Sequence, residues 1–125
     1  MKLSKNAGRA MFKGEVTRVL LLVRNGFVNE QQVDKAITAF VRRLGPEVVR
    51  VRYDISEDWT GDPAIFFRVV LTDQAASDDR RQKVTTRIRA ALWDKLRPFE
   101  RWGLYPFIHF RSKSEQDSLK EESWS

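Results

Sequence analysis

The sequence predicts an α+β domain in which an antiparallel sheet of three or four strands carries two helices on one face. Three patterns predict it. Residues 29–44 place Val33, Ile37, Phe40, Val41 and Leu44 on one helical face. Residues 48–55 switch to a period of two, and residues 64–71 are apolar at every position but Arg68.

The first helix is signalled at both ends. Asn29 is suited to accept from the free amides of the first turn, Gln32 holds the reciprocal position of a capping box, and Gly45 followed by Pro46 closes the far end. In residues 48–55, Val49, Val51, Tyr53 and Ile55 alternate with Arg50, Arg52 and Asp54, so one face enters the core and a charged face meets water or a partner. Residues 64–71 (AIFFRVVL) read as a central strand covered on both faces. Between the two strands, SEDWTGDP holds the turn formers Gly61, Asp62 and Pro63, which predicts an antiparallel hairpin.

A second helix is expected to begin near Ser77, Asp78 and Asp79 and to bury Val84, Ile88, Ala91, Leu92 and Leu96. It should stop at Arg97, because Pro98 disfavours helix in the residue before it. After a turn holding Trp102 and Gly103, residues 104–111 (LYPFIHFR) predict a third, aromatic-rich strand that Pro106 pushes towards an edge. Residues 112–125 have almost no apolar content and are expected to form a polar, mobile tail.

Residues 10–24 are ambiguous. VTRVLLLV is β-branched enough for a strand, whereas Phe12, Val16, Leu20 and Val23 keep helical spacing. A strand gives the order βαββαβ, a ferredoxin-like layout; a helix, slightly preferred, gives ααββαβ, a KH type II-like layout. The expected division is a basic N-terminal arm or helix over 1–28, the α+β domain over 29–111 and the tail over 112–125. Removal of residues 1–8 and 113–125 is expected to leave folding intact.

The 125 residues carry a formal charge of +6, unevenly spread. Residues 1–28 hold six Lys and Arg against one Glu, whereas residues 112–125 hold two basic residues against four acidic ones. A basic arm suits phosphates or an acidic protein surface, and a surplus of this size also serves solubility alone. The absence of cysteine excludes disulfides, thiolate zinc sites and cysteine nucleophiles, and fits a cytoplasmic location. The longest apolar run, residues 19–23, is far short of the roughly 20 residues of a membrane span. No secretory signal is expected either, because Arg9, Lys13, Glu15 and Arg18 interrupt the N-terminal apolar stretch.

No cofactor or metal is expected, and no motif supports catalysis. Glu57, Asp58 and Asp62 lie close together but lack EF-hand spacing, and acidic hairpin loops are commonly just solvated. His109, the sole histidine, has no designated partner, so it reads as a packing or hydrogen-bonding strand residue. GxSxG, Walker A, GxGxxG and HExxH patterns are absent. The binding candidates are more substantial. Trp59 either folds back over the sheet or stands as an anchor for a partner, and folding back is the favoured expectation. Arg80, Arg81, Lys83 and Arg87 on the second helix, with Lys5, Arg9, Lys13 and Arg18 of the arm, are the candidate nucleic-acid contacts; the alternative is a solvated face offset by Asp78 and Asp79. The paired aromatic signatures of an RNA recognition motif and the GxxG clamp of KH domains are missing.

The stretch EDWTGDPAIFFRVVL, followed after the second helix by LYPFIHFRSKSEQ, resembles an uncharacterised family of small bacterial proteins often encoded beside a gene of HEPN type. The resemblance covers roughly residues 45–116 and leaves the basic arm outside it. HEPN proteins commonly act as RNA-cleaving toxins, so the resemblance implies a cognate partner or antitoxin-like subunit with no catalytic residues to carry over. The expected function is therefore a non-catalytic protein-binding module of a two-gene stress or defence system. It would use Trp59, Tyr105 and Phe107, with Leu119 and Trp124 as apolar anchors of a tail that folds on binding. The alternative is an RNA- or DNA-binding module using the arm and second helix. Self-assembly through the aromatic edge strand near Tyr105 is a further option.

Overall fold

A computed structural model of the chain describes residues 22–23, 26–27 and 29–124. Two short strands, β1 (Leu22–Val23) and β2 (Gly26–Phe27), pair with each other as a separate two-stranded sheet. Of the ambiguous stretch 10–24, these two residues of β1 are strand, and the rest lies outside the described residues.

Helix α1 (Glu30–Arg42) follows, and one half of the expected capping box is formed: the Asn29 side chain accepts from the Gln32 amide at 3.1 Å. It ends where Gly45 takes a φ of +93°, a left-handed conformation that suits glycine. Strands β3 (Val48–Glu57) and β4 (Pro63–Leu71) form the expected antiparallel hairpin, with Tyr53 opposite Phe67. An irregularity between Val48 and Arg50 shifts the alternation by one residue, so Val48 is buried and Val49 only half-buried.

The second helix, α2 (Arg81–Ala91), begins later than expected. Ser77, Asp78 and Asp79 lie in preceding turns, and the Ser77 carbonyl accepts from the amides of Arg80 and Arg81. The helix then widens into a π-helical turn over Leu92–Leu96, closed by the Arg97 amide on the Leu92 carbonyl at 2.9 Å. Arg97, in left-handed conformation, stops it as Pro98 requires, and a short helix α3 (Pro98–Trp102) stands where a turn was expected. Strand β5 (Tyr105–Ser112) completes the sheet in the order β3-β4-β5.

The sheet is mixed, which corrects the all-antiparallel expectation: β5 runs parallel to β4, with Phe67 opposite Ile108. The physical reason is the connection. A tight turn returns the chain antiparallel, as between β3 and β4, whereas a helical crossover lets the next strand run in the same direction. Because β4 and β5 hydrogen-bond directly, no strand lies between them as the split βαββαβ arrangement requires.

Helices α1 and α2 bury Val33, Ile37 and Val41, and Val84 and Ile88, in one apolar cluster with Val51, Tyr53, Ile55, Ile65, Phe67, Val69 and Leu71 of the sheet. The Tyr53 hydroxyl reaches the Asp34 carboxylate at 3.2 Å, so the buried ring keeps a polar partner. The opposite sheet face carries Arg50, Arg52 and Asp54 on β3, Phe66, Arg68 and Val70 on β4, and Tyr105, Phe107, His109 and Arg111 on β5, by the pairing register.

The C-terminal segment is not the loose tail expected. Helix α4 (Lys113–Leu119) opens with a full capping box between Ser112 and Glu115, and a 3-10 turn (Glu122–Trp124) follows. Trp124 is 8% exposed. Its carbonyl accepts from Arg50 Nε at 3.0 Å, and the Arg111 guanidinium lies 4.3 Å from its ring centroid. One tryptophan thus supplies the apolar burial that the rest of a polar segment lacks, and Val70 beneath this end of the sheet face is wholly buried.

Candidate functional site

The sheet face that the helices leave open is divided in two. Its arginine-rich half is occupied by the C-terminal segment. Arg52 donates to the Glu122 carbonyl at 2.8 Å, and Arg111 donates to Gln116 at 2.9 Å and Glu121 at 2.6 Å. Arg68 pairs with Asp54 at 2.8 Å. His109 is exposed, opposite Arg68 in the register.

The other half is aromatic. Phe66 and Phe107 stack with ring centroids 5.1 Å apart and planes 13° from parallel. Tyr105 lies 5.2 Å and Trp59 5.7 Å from the Phe107 ring, and Trp93 meets the edge of Tyr105 at 5.6 Å. Trp59 leans back on this cluster of the sheet face and remains 82% exposed. Phe99 at 54% and Tyr105 at 46% extend the exposed surface, and Trp59, Pro63, Phe99, Tyr105 and Phe107 line a groove of about 570 Å³.

The loop that presents Trp59 is held by its own carboxylates. Asp58 Oδ1 accepts from the Thr60 amide at 2.9 Å, the Thr60 hydroxyl at 2.6 Å and the Asp62 amide at 3.0 Å. The Thr60 hydroxyl bond, foremost, together with the backbone amides, holds the Asp58 carboxyl below its ordinary value. Asp62 also accepts from the Thr60 hydroxyl, at 3.2 Å. The acidic loop therefore serves as an Asx-type turn, and among the described residues no group of three or more His, Cys, Asp or Glu could hold a metal ion.

The basic candidates fare differently. Lys5, Arg9, Lys13 and Arg18 lie outside the described residues. Arg80 and Arg87 converge on the single carboxylate of Glu47, which precedes β3. Arg81 donates to the Phe110 carbonyl at 3.3 Å and lies 3.9 Å from Glu115. Lys83 is exposed. Three of these four candidates are thus tied to their own domain. Among the apolar candidates, Trp59, Tyr105 and Phe107 come together, Leu119 stands exposed on α4, and Trp124 is spent on its own sheet.

Phe66, Phe99 and Trp93 belong to the patch and were not singled out in the sequence. For Phe66 a signal existed, since it shares its strand parity with Arg68, which a both-faces-covered strand would not place in a core. No family model, curated protein or solved structure matches this chain.

Proposed function

We propose that the protein is a non-catalytic protein-binding module that docks through the aromatic patch of Trp59, Tyr105 and Phe107. The observation that carries this reading is Trp59, 82% exposed on a loop whose geometry Asp58 fixes with three hydrogen bonds. A large apolar side chain left mostly in water contributes little to the fold. Held in place beforehand, it loses little conformational freedom on docking, which is the economy that interface anchors exploit. Tyr105 and Phe99 beside it give a contiguous apolar surface of the kind that marks interaction sites.

The class of partner follows from the sequence resemblance: a HEPN-type protein encoded alongside, with this chain as its antitoxin-like subunit in a bacterial stress or defence system. A cysteine-free composition fits the cytoplasm as the place of action. We read the layout as KH type II-like, on the succession α1, β3, β4, α2, β5, with the helices on one side of the sheet.

The test is affinity purification of tagged full-length protein and its Trp59→Ala variant from the native bacterium, with and without nuclease, at low and high salt. One protein retained in near-equal amount by the wild type and lost by the variant is the expected result. Both should melt alike, because truncating an exposed side chain costs within about 0.5 kcal/mol. Nucleic acid held at low salt and released at high salt, with no protein in stoichiometric amount, overturns the reading.

A further inference from the structure

We infer that a second groove, on the helical layer between α1 and the π-helical turn, is a docking site for an acidic segment of a partner protein that bears apolar side chains. This surface is separate from the aromatic patch and goes beyond the reading above. The groove, about 380 Å³, has an apolar lining of Ala36, Ala39, Phe40, Leu44, Ala91 and Leu96. Its rim holds four cations, Arg43, Arg87, Lys95 and Arg101, and none of its lining residues is acidic.

The sequence builds it from a second face of α1. Val33, Ile37 and Val41 enter the core, and Ala36, Ala39, Phe40 and Arg43 follow one another at i, i+3, i+4 and i+7 on the neighbouring face. Seven residues of helix rise about 10 Å, two turns, so this face is long enough for two turns of a bound helix or a short extended segment. Small alanine side chains leave room for a partner's backbone or side chains to approach. Across the groove, the change from α2 to the π-helical turn sets the wall that carries Lys95 and Leu96.

Charge decides the occupant. Arg87 is held by Glu47 and donates to the Leu44 carbonyl at 3.3 Å, while Arg101 donates to the Leu96 carbonyl at 3.2 Å. Arg43 and Lys95 form no ion pair among the described residues. With Arg87 offset by Glu47, the charges of Arg43, Lys95 and Arg101 beside the apolar lining have no counter-charge among the described residues, and carboxylates of a partner at the rim supply it. A phosphodiester backbone would meet the cations but leave the apolar lining unused, with the Phe40 ring its sole stacking surface. An apolar side chain flanked by Asp or Glu satisfies both.

The experiment uses the full-length, isotope-labelled chain and two synthetic amphipathic peptides, identical except that one carries Glu and the other Gln beside its leucines. Their binding is followed by amide shifts in NMR. The Glu peptide should move the amides of Ala36, Ala39, Ala91 and Lys95 selectively, and the Gln peptide should bind about tenfold more weakly. The double variant Arg43→Gln, Lys95→Gln, with an unchanged melting temperature, should lose about tenfold in affinity for the Glu peptide. Equal binding of the two peptides, shifts centred on Trp59 and Tyr105, an absence of shifts at millimolar peptide, or tighter binding of a single-stranded oligonucleotide at the same amides overturns the assignment. So does a change in the groove amides on deletion of residues 1–21 without added peptide, which would mean that the chain's own N-terminus covers the groove. Loss of the purified partner on Trp59→Ala but not on Arg43→Gln, Lys95→Gln would leave the aromatic docking site standing and remove this second one.

Discussion

Replacing Trp124 by alanine tests whether the C-terminal segment is part of the folded domain. A buried tryptophan covers about 200 Å², worth roughly 5 kcal/mol at about 25 cal/mol/Å² as an upper bound. The Arg111 guanidinium over its ring adds about 0.5–1 kcal/mol. Against this, fraying of the two residues around Trp124, with Glu121 and Glu122 still bonded to Arg111 and Arg52, returns about 1–2 kcal/mol of backbone entropy for each. The net loss should be about 2–3 kcal/mol, or a fall of about 8–12 °C in melting temperature for a chain of this size. Urea unfolding followed by circular dichroism gives the free energy directly. A truncation removing residues 120–125 should cost at least as much as the point variant, because it also removes the Glu121 and Glu122 contacts with Arg111 and Arg52. A midpoint within about 0.5 kcal/mol of wild type for both would refute the reasoning and return the segment to the status of a loose tail.

Glu47→Gln should cost about 1 kcal/mol by releasing Arg80 and Arg87, with the loss shrinking in high salt, as thermal melts at two ionic strengths would reveal. The same variant should elute later from a heparin column, since two cations become free to meet an anion. Asp58, Asp73 and Glu115 all have carboxyls lowered by hydrogen bonds, chiefly from Thr60, Ser114 and Ser112 respectively. Groups depressed in the folded state stabilise it in full well above their ordinary values of 3.8 and 4.5 and lose that contribution as the pH falls through the folded values. Stability should therefore be flat near neutrality and decline on acidification, and Asp58→Asn should flatten part of that decline in an acid titration. Gly45→Ala should destabilise by about 1 kcal/mol in denaturant melts. The cause would be backbone conformation and not crowding, because no atom lies within 4 Å of the added methyl while φ is +93°.

Much of the helical layer was legible in the sequence. Local rules act over a few residues, so the spacing of Val33, Ile37 and Val41, the Asn29 cap, the Gly45 stop and the Pro98 boundary all carried into α1 and α2. The β3 to β4 hairpin followed from its turn formers for the same reason. The start of α2 at Arg81 and the later π-helical turn did not, because helix ends are set by competing turns such as the one at Ser77.

The candidate sites depended on contacts between residues far apart in sequence. Arg80 and Arg87 look like a basic binding face until Glu47, more than thirty residues earlier, is seen to hold both. Trp124 looks like an exposed anchor until β3 and β5 supply Arg50 and Arg111 to receive it. Periodicity fixes which side chains share a face, and capping fixes where a helix begins. Strand direction across the α2 crossover, the pairing of distant charges and the choice of which aromatic residues stay in water are set by tertiary packing. In this chain that packing covers the arginines of the open sheet face and leaves Trp59, Phe99 and Tyr105 exposed.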